Sequence, residues 1–170
     1  MELPWLSEFV AAKAAKRLPV VLTTSEVRAM LSEMNGTTWL VAALIYVTGM
    51  RLLEALRLRE KDVEFERREI IVRQGKGNKD RVTMLPENLV TPLKDQLAKA
   101  KRLHDKDLEA GFGEVFLPDA FARKSKGAAR AWGWQYVFPS PVRSMDPRSE
   151  RERRHHIYEE SIQRAVRASH

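Results

Sequence analysis

Arg51 follows the Thr48-Gly49 break almost directly and has Glu54 three residues on. On a helix, that spacing lets the carboxylate hold the guanidinium in one rotamer. A rigid fork that is always charged suits the binding of an oxyanion. The same spacing also describes a surface ion pair worth a few tenths of a kcal/mol. Lys76 stands between Gly75 and Gly77, where an ammonium could reach a partner's phosphate or protonate a leaving oxygen. A solvated turn lysine is the plainer reading. Trp132, Trp134, Tyr136 and Phe138 form an aromatic cluster at alternate positions, one set expected to pack inward and the other outward. His155 and His156 are adjacent, which on a helix points them about 100° apart and makes a poor metal pair.

Other chemistries lack their residues. The 170 residues contain no cysteine, which excludes a disulfide scaffold, a thiol nucleophile and a Cys-ligated metal. There is no Gly-x-Ser-x-Gly elbow. Gly75-Lys76-Gly77 precedes a β-prone run and lacks the Gly-Lys-Ser/Thr of a nucleotide loop. Acidic residues are scattered singly, with no obvious cluster for two-metal chemistry. Lys and Arg number 30 against 23 Asp and Glu, a net +7 that suggests a polyanionic partner. No apolar run approaches the roughly 18–20 residues that span a bilayer, and residues 1–13 lack the order of a signal peptide. A soluble, cytoplasmic protein is expected.

The elements that must position these residues can be read from periodicity. Residues 1–19 read as a helical tail and linker, with the domain starting near Val20. Thr23 and Glu26 have capping-box spacing, and Val27, Met30, Leu31 and Met34 then mark one helix face ending at Asn35-Gly36. Residues 39–47 are apolar almost all round and predict a buried central helix, with Tyr46 in the core. Residues 51–58 predict the next helix. Residues 63–65, 69–73 and 81–85 are β-prone and predict a three-stranded antiparallel sheet, with a hairpin turn carrying Lys76. Pro86 opens a long helix marked by Leu89, Leu93, Leu97 and Ala100. Residues 120–131 suggest a short basic helix, 140–154 an irregular loop, and 159–168 a last helix with Ile162, Ala165 and Val166 on one face. The fold class is α+β, mainly helical.

Thr48-Gly49-Met50-Arg51-Leu52-Leu53-Glu54-Ala55-Leu56, followed about 25 residues later by Gly75-Lys76-Gly77-Asn78-Lys79-Asp80-Arg81, resembles the first part of the tyrosine recombinase catalytic domain. More narrowly, the chain resembles an integron integrase. Leu18-Pro19-Val20-Val21-Leu22-Thr23, Arg67-Arg68-Glu69-Ile70-Ile71-Val72-Arg73 and Trp134-Gln135-Tyr136-Val137-Phe138-Pro139 carry that likeness, with Asp146-Pro147-Arg148 leading to Arg153-Arg154-His155-His156. The resemblance implies a tyrosine that attacks a DNA phosphodiester and keeps its bond energy in a phosphotyrosyl link, without ATP, metal or other cofactor. It implies that Arg51 is the first catalytic arginine, that Lys76 is the general acid for the departing 5′-oxygen, and that Glu54 buttresses Arg51. Residues 20–170 would be a partial catalytic domain in which about 117–156 form the insertion peculiar to integron integrases. In that insertion Trp134, Pro147, His155 and His156 match positions that grip bases protruding from a folded single-stranded cassette site. Arg143, Arg148, Arg151, Arg153 and Arg154 would meet phosphate, or form a merely solvated basic loop. The partners implied are folded single-stranded and duplex DNA, with a synaptic tetramer for the whole recombinase.

The sequence departs from the family in one respect. None of the four histidines, His104, His155, His156 and His170, has an arginine three residues later. The three tyrosines, Tyr46, Tyr136 and Tyr158, all precede the place where the family sets its nucleophile. These residues therefore hold no expected nucleophile and are expected not to cleave DNA by themselves. The family's N-terminal clamping domain and its C-terminal part with His-x-x-Arg and tyrosine are expected to lie outside them. Apolar surface that such segments would cover makes self-association an expectation as well.

Overall fold

The computed structural model describes residues 21–73, 79–117, 125, 127–147 and 149–169. The expected N-terminal tail, the hairpin tip with Lys76, most of the expected basic helix at 120–131, and Arg148 lie outside the described residues.

The first helix, α1 (Thr24–Glu33), begins where its capping box closes: Thr23 accepts the Glu26 N–H, and Glu26 accepts the Thr23 N–H at 2.7 Å. Asn35 then leads straight into α2 (Gly36–Thr48). Leu40, Val41, Ala43 and Leu44 put α2 in the centre of the core, where it packs against every other helix that follows. Tyr46 departs from the expectation, since it is 48% exposed beside exposed Val47. In the last turn of α2, Ile45 packs on the core and Thr48 O accepts from the Thr83 hydroxyl, while Tyr46 and Val47 lie on the outer side. Gly49 ends the helix in the left-handed region at φ 66°, a conformation that costs glycine nothing. The next helix, α3, is shorter than expected, Leu52–Leu56, with Arg51 as its extended N-cap.

A 3-10 turn (Glu60–Asp62) leads into the antiparallel sheet β1 (Val63–Glu64), β2 (Glu69–Val72) and β3 (Arg81–Met84), in that order. Its register pairs Ile70 with Thr83 and Val72 with Arg81. Ile70 and Val72 are buried, whereas Val82 and Met84 on the opposite face are exposed. The long α4 (Glu87–Glu109) lays Leu89, Leu93, Gln96, Leu97, Ala100, His104 and Asp107 along one buried stripe. Finally α5 (Glu159–Ala168) seats Ile162 against α2 and α3. The fold is thus α+β with a small three-stranded antiparallel sheet, as the periodicity implied. Among the described residues no helix is long and apolar enough to cross a membrane.

Two expectations need correcting. The segment after the 3-10 turn Trp132–Trp134 does not alternate between inside and outside: Gln135, Tyr136, Val137 and Phe138 are all buried. It is bonded along one side to the chain leaving α3, with the Val137 N–H donating to Leu58 O at 2.9 Å and the Glu60 N–H to Gln135 O at 3.0 Å. On the other side the Gln96 amide of α4 donates to Val137 O at 2.9 Å, so neither face is left to solvent. Secondly, the expected irregular loop contains a two-stranded ribbon, β4 (Ser144–Asp146) and β5 (Arg151–Arg153). Ion pairs from Arg143 to Glu152 and from Arg153 to Asp146 lace it together, which a reading of proline and serine content overlooks.

Candidate active site and nucleic-acid interface

Arg51 owes its position to the turn before it. Gly49 reverses the chain at the end of α2, Met50 is buried as an anchor, and Arg51 is left extended at the mouth of α3 with its side chain 58% exposed. Glu54 secures it in a way the helix-face argument did not anticipate. Its carboxylate accepts the backbone N–H of Arg51 at 2.9 Å and lies 3.4 Å from the Arg51 guanidinium. It is 9% exposed and receives the whole fork of Arg81, at 3.1 and 2.7 Å. The Arg81 hydrogen bonds, against the opposing cost of burial and aided by the Arg51 N–H, lower the Glu54 pKa to about 2. Arg81 was not singled out from the sequence, because nothing in its spacing shows that it meets a residue 27 positions earlier.

Arg81 pairs with Val72, so the end of β2 and the start of β3 meet at this point. The end of β2 is pinned by Arg73, which binds buried Asp62 at 2.5 Å and Asp80 at 3.6 Å. The sheet register therefore sets the strand ends that flank Lys76 beside the ion cluster of Arg51. The lysine itself lies outside the described residues.

The second region is built on Arg59, also missed in the sequence. Its guanidinium donates to the carbonyls of Trp134 and Phe116 and lies 4.6 Å from the centre of the Tyr136 ring. Burial pushes its pKa down, while the Tyr136 and Asp62 groups oppose that shift. Trp134 is half-buried, with the Lys61 ammonium 2.9 Å from its ring centre. His156 meets Tyr136 edge-on at 5.4 Å, and its Nδ1 lies 2.8 Å from Ile157 O. His155 is half-buried beside it, its pKa lowered by burial. Pro147 is exposed at the turn of the ribbon. The structure thus gathers Trp134, Tyr136 and His156 into one aromatic wall, in which the Arg59 guanidinium, 5.4 and 4.6 Å from the Trp134 and Tyr136 ring centres, links those two rings.

The arginines of this region divide. Arg154 is placed otherwise than a phosphate contact requires. Its side chain is 10% exposed, and its fork is consumed by Asp107 at 2.6 and 2.8 Å, with a third donor on Ser140 O. Arg143 joins the same Asp107 at 2.9 Å and lies 4.0 Å over the Phe112 ring. Arg153 binds Asp146 at 2.6 Å and is 13% exposed. Arg154 and Arg153 therefore hold the ribbon in place, and their expected contact with phosphate is corrected on that ground. Arg151 is 65% exposed and bound to Glu114 at 3.3 Å. Among the described residues no group of three or more His, Asp or Glu side chains could hold a metal ion.

The likeness to known proteins bears on this geometry. A relative named integrase/recombinase from Escherichia coli is 47% identical over 166 residues, which are 98% of this chain and 49% of that protein. A protein of the same name from Pseudomonas aeruginosa matches equally well. The tyrosine recombinase XerA of Thermococcus onnurineus is 44% identical over 88 residues, 50% of this chain and 31% of its own. Among solved structures, a crystal structure of XerA recombinase aligns at a TM-score of 0.45 and 28% identity, over 51% of this chain and 32% of that one. The chain spans about half the length of the integrase/recombinase relatives. The model of the phage integrase family matches residues 20–170, which include Arg51, Glu54, Arg81 and the aromatic wall, and the chain belongs to that family.

Proposed function

We propose that the chain supplies the Arg51 and Lys76 half of the active site of a site-specific tyrosine recombinase of the integron integrase kind, acting on DNA in the cytoplasm. Arg51 binds the scissile phosphate and stabilises the charge that builds on its oxygens as the phosphorus becomes five-coordinate. Lys76 gives its proton to the departing 5′-oxygen. Glu54 holds Arg51 and does not react. The observation that carries this reading is the placement of Arg51, extended and open to solvent at the mouth of α3, on a carboxylate tied to the strand that returns from the Lys76 turn.

The insertion at about 117–156 is proposed to grip bases that protrude from a folded cassette site. Trp134, His155 and His156 offer ring faces worth roughly 1–3 kcal/mol for each stacked base, with Pro147 beside them. Arg148 and Arg151 are proposed to meet phosphate, whereas Arg143 is engaged by Asp107 and Glu152. The complete recombinase would assemble as a synaptic tetramer on such sites.

By themselves these 170 residues are proposed to bind DNA without cutting it, since none of their histidines begins a His-x-x-Arg motif. The test pairs two measurements. Binding to a labelled duplex at several salt concentrations should show a slope that falls by about one unit for Arg51→Ala, the loss of one phosphate contact. A nicked duplex that traps phosphotyrosyl adducts should trap none. An unchanged slope contradicts the role of Arg51, and a covalent adduct on Tyr46 or Tyr158 contradicts the assignment of the nucleophile elsewhere.

A further inference from the structure

Glu54 is shared by two cations on unequal terms. Arg81 presents two hydrogen bonds, at 2.7 and 3.1 Å, whereas Arg51 comes no closer than 3.4 Å with its side chain. A parallel fork is the stronger geometry, so most of the carboxylate's charge is answered by Arg81. The trio Arg51–Glu54–Arg81 keeps one positive charge in excess, and that charge stands at Arg51, the more exposed of its two arginines. Were Arg81 absent, Arg51 would be the remaining side-chain cation bonded to Glu54 among the described residues. The carboxylate is nearly buried, so a strong pull would act to bring the guanidinium down onto it.

We infer that Arg81 is a positioning residue: it occupies Glu54 so that Arg51 stays extended and available to an oxyanion. The inference rests on reading Arg51 as the phosphate-binding group. Arg81 acts through Glu54 and need not touch the DNA. It also stands on β3, five residues after Lys76 in the chain, so the same pair fixes the strand that follows the turn to the mouth of α3.

The test is a set of affinities of the full 170-residue chain for one labelled DNA hairpin at fixed, stated salt, with thermal midpoints as a check on folding. Arg81→Ala should weaken binding about as much as Arg51→Ala does, but add less than about twofold when Arg51 is already alanine. The informative variant is Arg81→Ala with Glu54→Gln. Removing the negative charge releases Arg51, so affinity should return to within about threefold of wild type. Arg81→Lys, which keeps the charge and loses the fork, should fall between wild type and Arg81→Ala and covers the case in which the alanine variant does not fold. If Arg81→Ala costs the same with and without Arg51, Arg81 touches phosphate directly and the inference fails. It fails also if Glu54→Gln gives no recovery, which would mark a merely structural pair. If Arg51→Ala itself changes neither affinity nor salt slope, the phosphate reading of Arg51 falls first and the inference with it.

Discussion

The Glu54 carboxylate, held near pKa 2 by Arg81, gives stability a particular dependence on acid. Its folded pKa lies below its ordinary 4.5, so its stabilising contribution is full above about 4.5 and fades as pH falls towards 2. The stability difference between wild type and Glu54→Gln, followed by urea unfolding, should therefore shrink steadily from pH 5 to pH 2. A constant difference over that range would show that the Arg81 pair does not exist in solution. Asp107 makes a second, deeper case, at 4% exposure between Arg154 and Arg143. Arg154→Ala should cost about 2–3 kcal/mol in denaturant, because it takes two charge-assisted hydrogen bonds from a buried carboxylate and leaves it to Arg143. Exchange of both partners for apolar residues of similar size should cost far less. At this scale the sequence was partly legible. Arg51 and Glu54 announce themselves through a glycine turn and an i,i+3 spacing. Arg81, Asp107 and Arg59 do not, because each takes its meaning from partners 27 to 77 positions away. Tyr46 misled for a related reason: an apolar helix read in isolation does not show which of its residues face outward.

Among the elements, glycine positions discriminate between strain and crowding. Gly49 has a positive φ and open space around the missing Cβ, so Gly49→Ala should cost about 1 kcal/mol in backbone strain alone. Gly113 also has a positive φ, at 94°, and a Cβ there would stand 2.7 Å from Leu108 Cδ2. Gly113→Ala should therefore be the more damaging of the two in thermal unfolding, and equal losses would argue against the packing of that loop on α4. Loss of the α1 cap in Thr23→Ala should cost about 1 kcal/mol by the same assay. Helix α1 was readable because a capping box and a hydrophobic period agree, α4 and α5 from the period alone, α2 from its apolar run and the glycine that ends it, and the sheet from three β-prone runs. The ribbon of β4 and β5 was not. Its strands are three residues long and its stability lies in cross-strand ion pairs, so composition alone reads it as loop. The buried run from Gln135 to Phe138 escaped for the converse reason: packing on both sides abolishes the alternation that would mark it.

For the whole molecule, the main core takes in α2, the sheet, α4, α5, Val137 and Phe138, while Tyr136 and Trp134 pack with Val115 and Leu117 in a second, smaller cluster; the chain through residues 136–138 ties the aromatic wall to the frame that holds Arg51. Phe138→Ala should cost about 3–5 kcal/mol and loosen both regions together. Exposed Tyr46, Val47, Val82 and Met84 leave apolar surface uncovered, and light scattering should show a mass that rises with concentration. A mass fixed at one chain at high concentration would contradict that expectation. The net charge of +7 favours any polyanion whatever its sequence or shape, so affinity alone decides nothing. The measurement that bears most directly on the central claim is a titration at fixed, stated salt. It compares a single-stranded hairpin carrying protruding bases with the same hairpin fully paired, for wild type and Trp134→Ala. The account predicts at least about tenfold tighter binding to the protruding bases, about 1.4 kcal/mol or one base's stacking, and its loss in the variant. Equal, weak binding of both hairpins by both proteins would contradict it and leave charge as the whole of the attraction.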